Sequence, residues 1–274
     1  MGFYVSDIGE IQLKVLDLFS GIGGFSLGLE RAGMETVAFC EIDPKARKVL
    51  AKHWPHVPVF EDVKTLNKGL LDEKNISVDL ICGGFPCQDI SFAGKGAGIE
   101  GERSGLWTEY ARIIGELRPQ YAIVENVSAL LGRGLDRVLG DLAQIGYDAE
   151  WHCIPASAVG HPQRRDRIWI VAYSSSRRME GNISTSLHRL YEIPWSENER
   201  RATEWRKRSD LPTPYLCRSS DGVPDRMDRL KQLGNAVVPQ IPELIGKAIM
   251  EIKNPCRRSG ESDRGQSQGG NTLS

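Results

Sequence analysis

Four short stretches of this sequence carry side chains that could do chemistry. The first is V-L-D-L-F-S-G-I-G-G-F-S-L-G over residues 15–28: an apolar run, a glycine-rich turn, then an amphipathic segment. Gly21, Gly23 and Gly24 let the backbone pass close to a ligand and set free N–H groups of a helix start beside it. Glu41 closes the next apolar run about twenty residues later, where a carboxylate would take ribose hydroxyls. The pair favours a nucleoside-containing cofactor, although a turn of this kind by itself also serves plain packing. Asp62, at the close of a third run, could take an adenine amino group, although standing alone it reads by default as a solvated turn residue.

The second stretch is C-G-G-F-P-C-Q-D-I-S over residues 82–91. A free cysteine is ordinarily a small buried hydrophobe, the reading taken for Cys40, Cys82 and Cys153. Cys87 differs because it follows a Gly-Gly-Phe-Pro turn at the carboxyl end of a strand, where α/β sheets hold their ligands and where proline stiffens the chain. The hydrophilic, glycine-rich residues 94–105 that follow read as a lid or as a long connection. The third stretch, Y-A-I-V-E-N-V over 121–127, ends an apolar run in Glu125-Asn126, on the same expected sheet edge as Glu41, Asp62 and Cys87. In the fourth, Q-R-R-D-R-I-W-I-V-A over 163–172, a period of two sends Gln163, Arg165 and Arg167 to one side and Arg164 and Asp166 to the other. Guanidiniums fixed on one face suit a carbonyl oxygen or a phosphate; a solvated strand edge with an Arg–Asp pair is the alternative.

The elements that must position these groups are strands at 14–18, 36–40, 57–60, 78–82, 121–124, 149–154 and 167–172, alternating with helix-length segments. That alternation predicts an α/β fold with a mostly parallel sheet and crossover helices. Leu106, Tyr110, Ile113, Ile114 and Leu117 share one helical face, as do Leu135, Val138, Leu139, Leu142 and Ile145. Asp43-Pro44 suits a cap followed by the first helical residue, and Gly33 and Gly146 suit helix ends.

The 274 residues allow one large domain plus a small partner, and 40% hydrophobic residues suffice for a sizeable core. Residues 1–173 read as a catalytic and cofactor-binding domain, 174–233 as a small irregular region, 234–253 as a segment returning to the first domain, and 254–274 as a disordered tail. The net charge of −1 hides a local excess: residues 174–218 hold nine Arg/Lys against six Asp/Glu. No run approaches the roughly 20 apolar residues of a membrane span, so a cytoplasmic protein without membrane attachment is expected. The six cysteines form no CxxC pair, so neither a disulfide frame nor a metal site is expected.

DLFSGIGGF, GGFPCQDIS, ENV, QRRDR and LGNAV occur in this order, and the chain resembles the bacterial and phage DNA cytosine-5 methyltransferases from Val15 to about Tyr173 and again from about Leu233 to Ile249. The resemblance implies a Rossmann-like fold and S-adenosyl-L-methionine as cofactor. Phe19, Ser20, Gly21, Ile22, Gly23 and Gly24 would bind it with Glu41, Ile42, Asp62 and Val63; Pro86 and Leu106 would border it, and Asn235 with Val237 would close the pocket. The resemblance makes Cys87 the nucleophile and Glu125 the residue that holds ring nitrogen 3 and the amino group of cytosine. Arg165 and Arg167 would orient the base and its 2-oxygen. The implied partner is double-stranded DNA, taken by a monomer with no obligate protein partner.

A thiolate adding to carbon 6 makes carbon 5 nucleophilic enough to accept a methyl group. The target base must first leave the duplex. The family ordinarily has a longer target-recognition region and a further motif before LGNAV, whereas about sixty residues, 174–233, stand here, with PDRMDRLKQ the candidate replacement. Two other readings share the fold: the same chemistry on RNA, and a non-catalytic nucleic-acid-binding protein. The second has no need of the thiol that the sequence retains.

Overall fold

The computed structural model describes residues 12–86, 105–161, 163–175 and 236–253. In chain order the elements are β1 (Lys14–Leu18), α1 (Gly24–Arg31), β2 (Glu35–Cys40), α2 (Pro44–His53), β3 (Val59–Phe60), α3 (Lys68–Glu73), β4 (Leu80–Gly84), α4 (Leu106–Leu117), β5 (Tyr121–Val127), α5 (Leu135–Gln144), β6 (Tyr147–Pro155), β7 (Asp166–Ser174) and α6 (Gln240–Lys253). Seven strands form one sheet in the order β3-β2-β1-β4-β5-β7-β6. Pairings from β3 through β5 are parallel, and β7 runs antiparallel to both β5 and β6. The expected Rossmann-like, mostly parallel sheet is therefore present.

Alternation along the strands feeds two cores. Leu16, Leu18, Ile81, Ala122 and Val124 pack with Trp107, Tyr110 and Ile114 of α4 and with Val138 and Leu142 of α5. Val15, Leu80, Cys82 and Ile123 pack on the opposite face with Phe25 and Leu29 of α1 and Ile241, Ile245 and Ile249 of α6. The α1–α6 contact is close because glycine lines it: a Cβ at Gly28 would run into the Pro239 carbonyl oxygen, and one at Gly246 would lie 2.7 Å from the Ala32 Cβ. Asp43 caps α2 by accepting from the Lys45 N–H at 2.8 Å, with Pro44 at the first helical position, as its sequence predicts.

Besides shifts of one or two residues at the ends of β2, β4 and β6, three boundaries differ from the sequence reading with consequences for the sheet. β5 continues through Val127 because Glu125, Asn126 and Val127 pair with Trp169, Ile168 and Arg167 of β7, a long-range partner that local pattern does not reveal. β3 contracts to two residues. β7 runs from Asp166 to Ser174, beyond the expected 167–172, and the Ser175 N–H donates to the Gly146 carbonyl. Among the described residues no helix is long and apolar enough to cross a membrane.

Candidate active site

Going outward from β1, the chain runs to β2 and β3 on one side and to β4 and β5 on the other. The crevice at the carboxyl ends of β1 and β4 is thus the place where an open sheet of this kind holds a ligand. On the β3-β2-β1 side the glycine turn is tied down by the Ser20 hydroxyl and by backbone N–H donors. The Ser20 hydroxyl donates to the Asp17 carbonyl at 2.6 Å, and the Gly23 N–H donates to the Ser20 carbonyl at 2.9 Å. The Gly21 N–H donates to Glu41 Oε2 at 2.7 Å, and the Asp43 N–H donates to Oε1 at 2.8 Å. A carboxylate has about four lone-pair positions, so each oxygen keeps acceptor capacity for a further hydroxyl. Gly21 (φ +54°) and Gly23 (φ +85°) adopt left-handed backbone that favours glycine, and Phe19 (φ +52°) shares the bend.

Around that turn, Ile42 is 69% exposed beside Glu41. Asp62 lies two residues beyond β3 and accepts from the Lys64 N–H at 2.9 Å. Val63 is buried, and Arg112 of α4 grips its loop by donating to the Val63 and Leu66 carbonyls at 3.0 and 2.9 Å. A Cβ at Gly24 would lie 2.6 Å from the Val237 carbonyl oxygen, so the returning segment does meet the glycine turn. Ile22 and Gly24 are half-buried and Ser20 is buried. Asn235 lies outside the described residues, as does Cys87.

At the end of β4, Gly84 stands in register with Glu125 of β5, and a Cβ at Gly84 would sit 2.7 Å from Glu125 Oε2. Glycine here leaves room for the carboxylate. Arg167 Nε reaches Glu125 Oε1 at 2.9 Å, with 13% of the glutamate side chain exposed. Burial pushes the Glu125 carboxyl above the usual range, and the Arg167 and Arg165 guanidiniums only partly offset it. Burial and the neighbouring Arg167 charge lower Arg165, with Glu125 opposing. Asn126, buried, donates to the Phe85 carbonyl at 3.2 Å, fixing the turn that leads through half-buried Pro86. Phe85 packs on Trp107, and Leu106 opens α4 at the edge of the same core.

Of the other thiols, Cys40 is buried and pushed up to about 12, chiefly by burial. Cys82 is buried and likewise pushed well above the usual thiol range, chiefly by burial. Cys153 lies on β6 but is exposed, which corrects its reading as a buried hydrophobe. The strict alternation at 163–167 is also corrected: β7 begins only at Asp166 and Arg165 has φ +39°, so no strand period reaches back to Gln163. Arg165 and Arg167 nevertheless both act on Glu125, while Arg164 is 83% exposed and pairs with Asp166 at 3.0 Å, the solvated pair held open above. Sequence reasoning assigned nothing to Gly84 or Asn126. Their roles come from pairing across strands, and only the adjacency of GGFP and ENV to strand ends pointed there.

A family model described as C-5 cytosine-specific DNA methylase matches residues 13–210. The chain belongs to that family. It is 34% identical over 233 residues to the type II methyltransferase M2.BsuMI of Bacillus subtilis, covering 77% of this chain and 58% of that protein. It is 41% identical over 164 residues to M.Eco47II of Escherichia coli, covering 58% of this chain and 39% of that protein. The chain thus spans about half the length of these curated relatives. Among solved structures, an E. coli prophage-encoded chain assigned as a DNA modification methyltransferase matches with TM-score 0.53 at 29% identity, over 64% of this chain and 50% of that one. The S. pombe Dnmt2 methyltransferase matches in fold with TM-score 0.56 at 22% identity, over 69% of this chain and 58% of that one.

Proposed function

We propose that the chain methylates carbon 5 of cytosine in double-stranded DNA, with S-adenosyl-L-methionine as the methyl donor. The observation that carries this reading is the buried Glu125 carboxyl beside the strand that leads to Pro86 and Cys87, on one sheet edge with the Glu41-bound glycine turn. The residues present fit the cofactor: Glu41 retains acceptor capacity for the ribose hydroxyls, Ile42 offers an exposed apolar face to adenine, and nothing lies within 4 Å of a Cβ at Gly21. Asp62, Val63, Leu106 and Val237 border that space in this reading, together with Asn235. The bound cofactor supplies an electrophilic methyl group.

The rest of the work falls to side chains of the chain. Cys87, as thiolate, adds to carbon 6 of the flipped base, and the electron pair of the 5,6 double bond becomes available at carbon 5. Glu125, with its proton affinity raised by burial, holds a proton against ring nitrogen 3 and accepts from the amino group. Arg167 and Arg165 hold the 2-oxygen and stabilise the charge that develops on it. After methylation, loss of the carbon-5 proton expels the Cys87 thiolate and restores the aromatic ring. Residues 1–173 and 234–253 form the catalytic body in this reading, and 174–233 a reduced segment that reads DNA. The chain acts as a monomer in the cytoplasm.

Incubation with S-adenosyl-L-methionine and long DNA of mixed sequence containing 5-fluorocytosine, followed by denaturing electrophoresis, tests the reading. The wild type should give a covalent protein–DNA adduct and Cys87→Ser none. An adduct that persists in Cys87→Ser removes Cys87 as nucleophile. Adducts with matched RNA but not with DNA would transfer the substrate to RNA, and no adduct with either would leave a binding role.

A further inference from the structure

Trp54, which ends α2, touches the glycine turn from behind. A Cβ at Gly23 would lie 2.6 Å from Trp54 Cζ3, 2.7 Å from Cη2 and 3.1 Å from Leu50 Cδ2, so the indole ring covers the Gly23 backbone. Two further contacts fix the ring, and two backbone hydrogen bonds fix the residue that carries it. Its Nε1–H donates to Glu30 Oε1 in the last turn of α1 at 2.7 Å. Its edge packs against Phe39 of β2 at 5.3 Å between ring centroids. Its backbone N–H donates to the Leu50 carbonyl at 2.8 Å, and its carbonyl accepts from the Val57 N–H at 3.1 Å. One side chain therefore joins both ends of α1, the end of α2 and the strand that leads to Glu41. Glu41 holds Gly21 from one side of the turn while Trp54 covers Gly23 on another.

We infer that Trp54 is a positioning residue that holds the Gly21–Gly23 backbone in its ligand-ready conformation and thereby sets cofactor affinity. The inference rests on the proposed reading of this turn as the S-adenosyl-L-methionine site. A loop already in its bound shape spends less conformational entropy when the ligand arrives. Gly23 at φ +85° has wide alternatives once the ring is removed, because glycine is the residue with most backbone freedom to lose. Trp54 itself need touch neither cofactor nor base.

Calorimetric titration of the full chain with S-adenosylhomocysteine, together with steady-state methyl transfer, tests this. Trp54→Ala should weaken binding about ten-fold and raise the cofactor KM alike, with kcat at saturating cofactor within about two-fold. Trp54→Phe keeps a ring on Gly23 but loses the N–H to Glu30, and should weaken binding about three-fold. Damage to overall folding alone lowers binding stoichiometry and kcat and leaves the Kd of the folded molecules unchanged. A folded Trp54→Ala that binds as tightly as wild type overturns the inference, and if that variant does not fold, unchanged affinity in Trp54→Phe overturns it. Failure of the wild type to bind S-adenosylhomocysteine would instead overturn the cofactor reading of the turn.

Discussion

The two halves of the sheet edge are built by different physics. On the β3-β2-β1 side, shape is held by backbone: Gly21 and Asp43 N–H groups grip Glu41, Gly23 folds back on Ser20, and Val237 meets Gly24. On the β4-β5-β7 side, it is held by charge: Glu125 sits buried against Arg167, with Arg165 near enough to act on both. A backbone cradle is preformed, its shape set by hydrogen bonds within the chain. A buried carboxyl that guanidiniums only partly compensate keeps its proton affinity raised by burial, which suits transfer chemistry. The reversal of β7 serves the second half, because it brings Arg167 across the sheet from Val127.

The sharpest way to break this division is Glu125→Gln, which keeps the shape and removes the acid. The single-turnover rate of methyl transfer should fall about 10²–10⁴-fold, the range for loss of a positioned acid or base. Affinity for S-adenosylhomocysteine should stay within about two-fold, since the cradle has its own supports. If rate and cofactor affinity fall together, the halves are one cooperative unit and the comparison fails.

Asp17 stands where the halves join, in register with Cys82 of β4 and accepting from the Ser26 hydroxyl of α1 at 2.8 Å. Burial raises its carboxyl from 3.8 to about 7, with the Ser26 bond opposing. Between about pH 4 and pH 7 the folded chain therefore holds a proton that the unfolded chain has lost, and stability falls as pH rises through that window. Roughly three pH units correspond to about 4 kcal/mol, an upper bound because the site relaxes. Urea midpoints measured across that window should decline in the wild type, and the decline should be shallower in Asp17→Asn. Identical slopes in the two chains would show that the carboxyl is ionised throughout.

The cradle was the more legible half. β1 is found at its predicted residues because Val15, Leu16 and Leu18 lead straight into a glycine turn, and α2 starts where Asp43-Pro44 says. These are local signals. The charged half depends on which strand lies beside which: Glu125 was read as a strand terminus, yet β5 continues past it because β7 supplies a partner from forty residues on. Gly84 appeared only as part of a turn, although its missing Cβ is what admits the carboxylate. Trp54 had no motif to mark it, since its contact with Gly23 exists only after α2 docks. The motif order located the site, while the packing that makes each motif work was carried by residues between motifs.

Gly24 and Gly28 refine the comparison at a smaller scale. Both face the returning segment: a Cβ at Gly24 would sit 2.6 Å from the Val237 carbonyl oxygen, and one at Gly28 would run into the Pro239 carbonyl oxygen. Backbone cannot rotate aside as a side chain can, so Gly24→Ala and Gly28→Ala should each destabilise by about 1–3 kcal/mol through overpacking. The two differ in what lies next to them. Gly24 directly follows the turn and Gly28 lies one helical turn deeper, beneath α6. Gly24→Ala should therefore weaken S-adenosylhomocysteine binding in the molecules that remain folded, and Gly28→Ala should lower the melting temperature while leaving that affinity intact. Equal loss of affinity in both would mean that the whole α1–α6 contact, and not the turn alone, shapes the cradle.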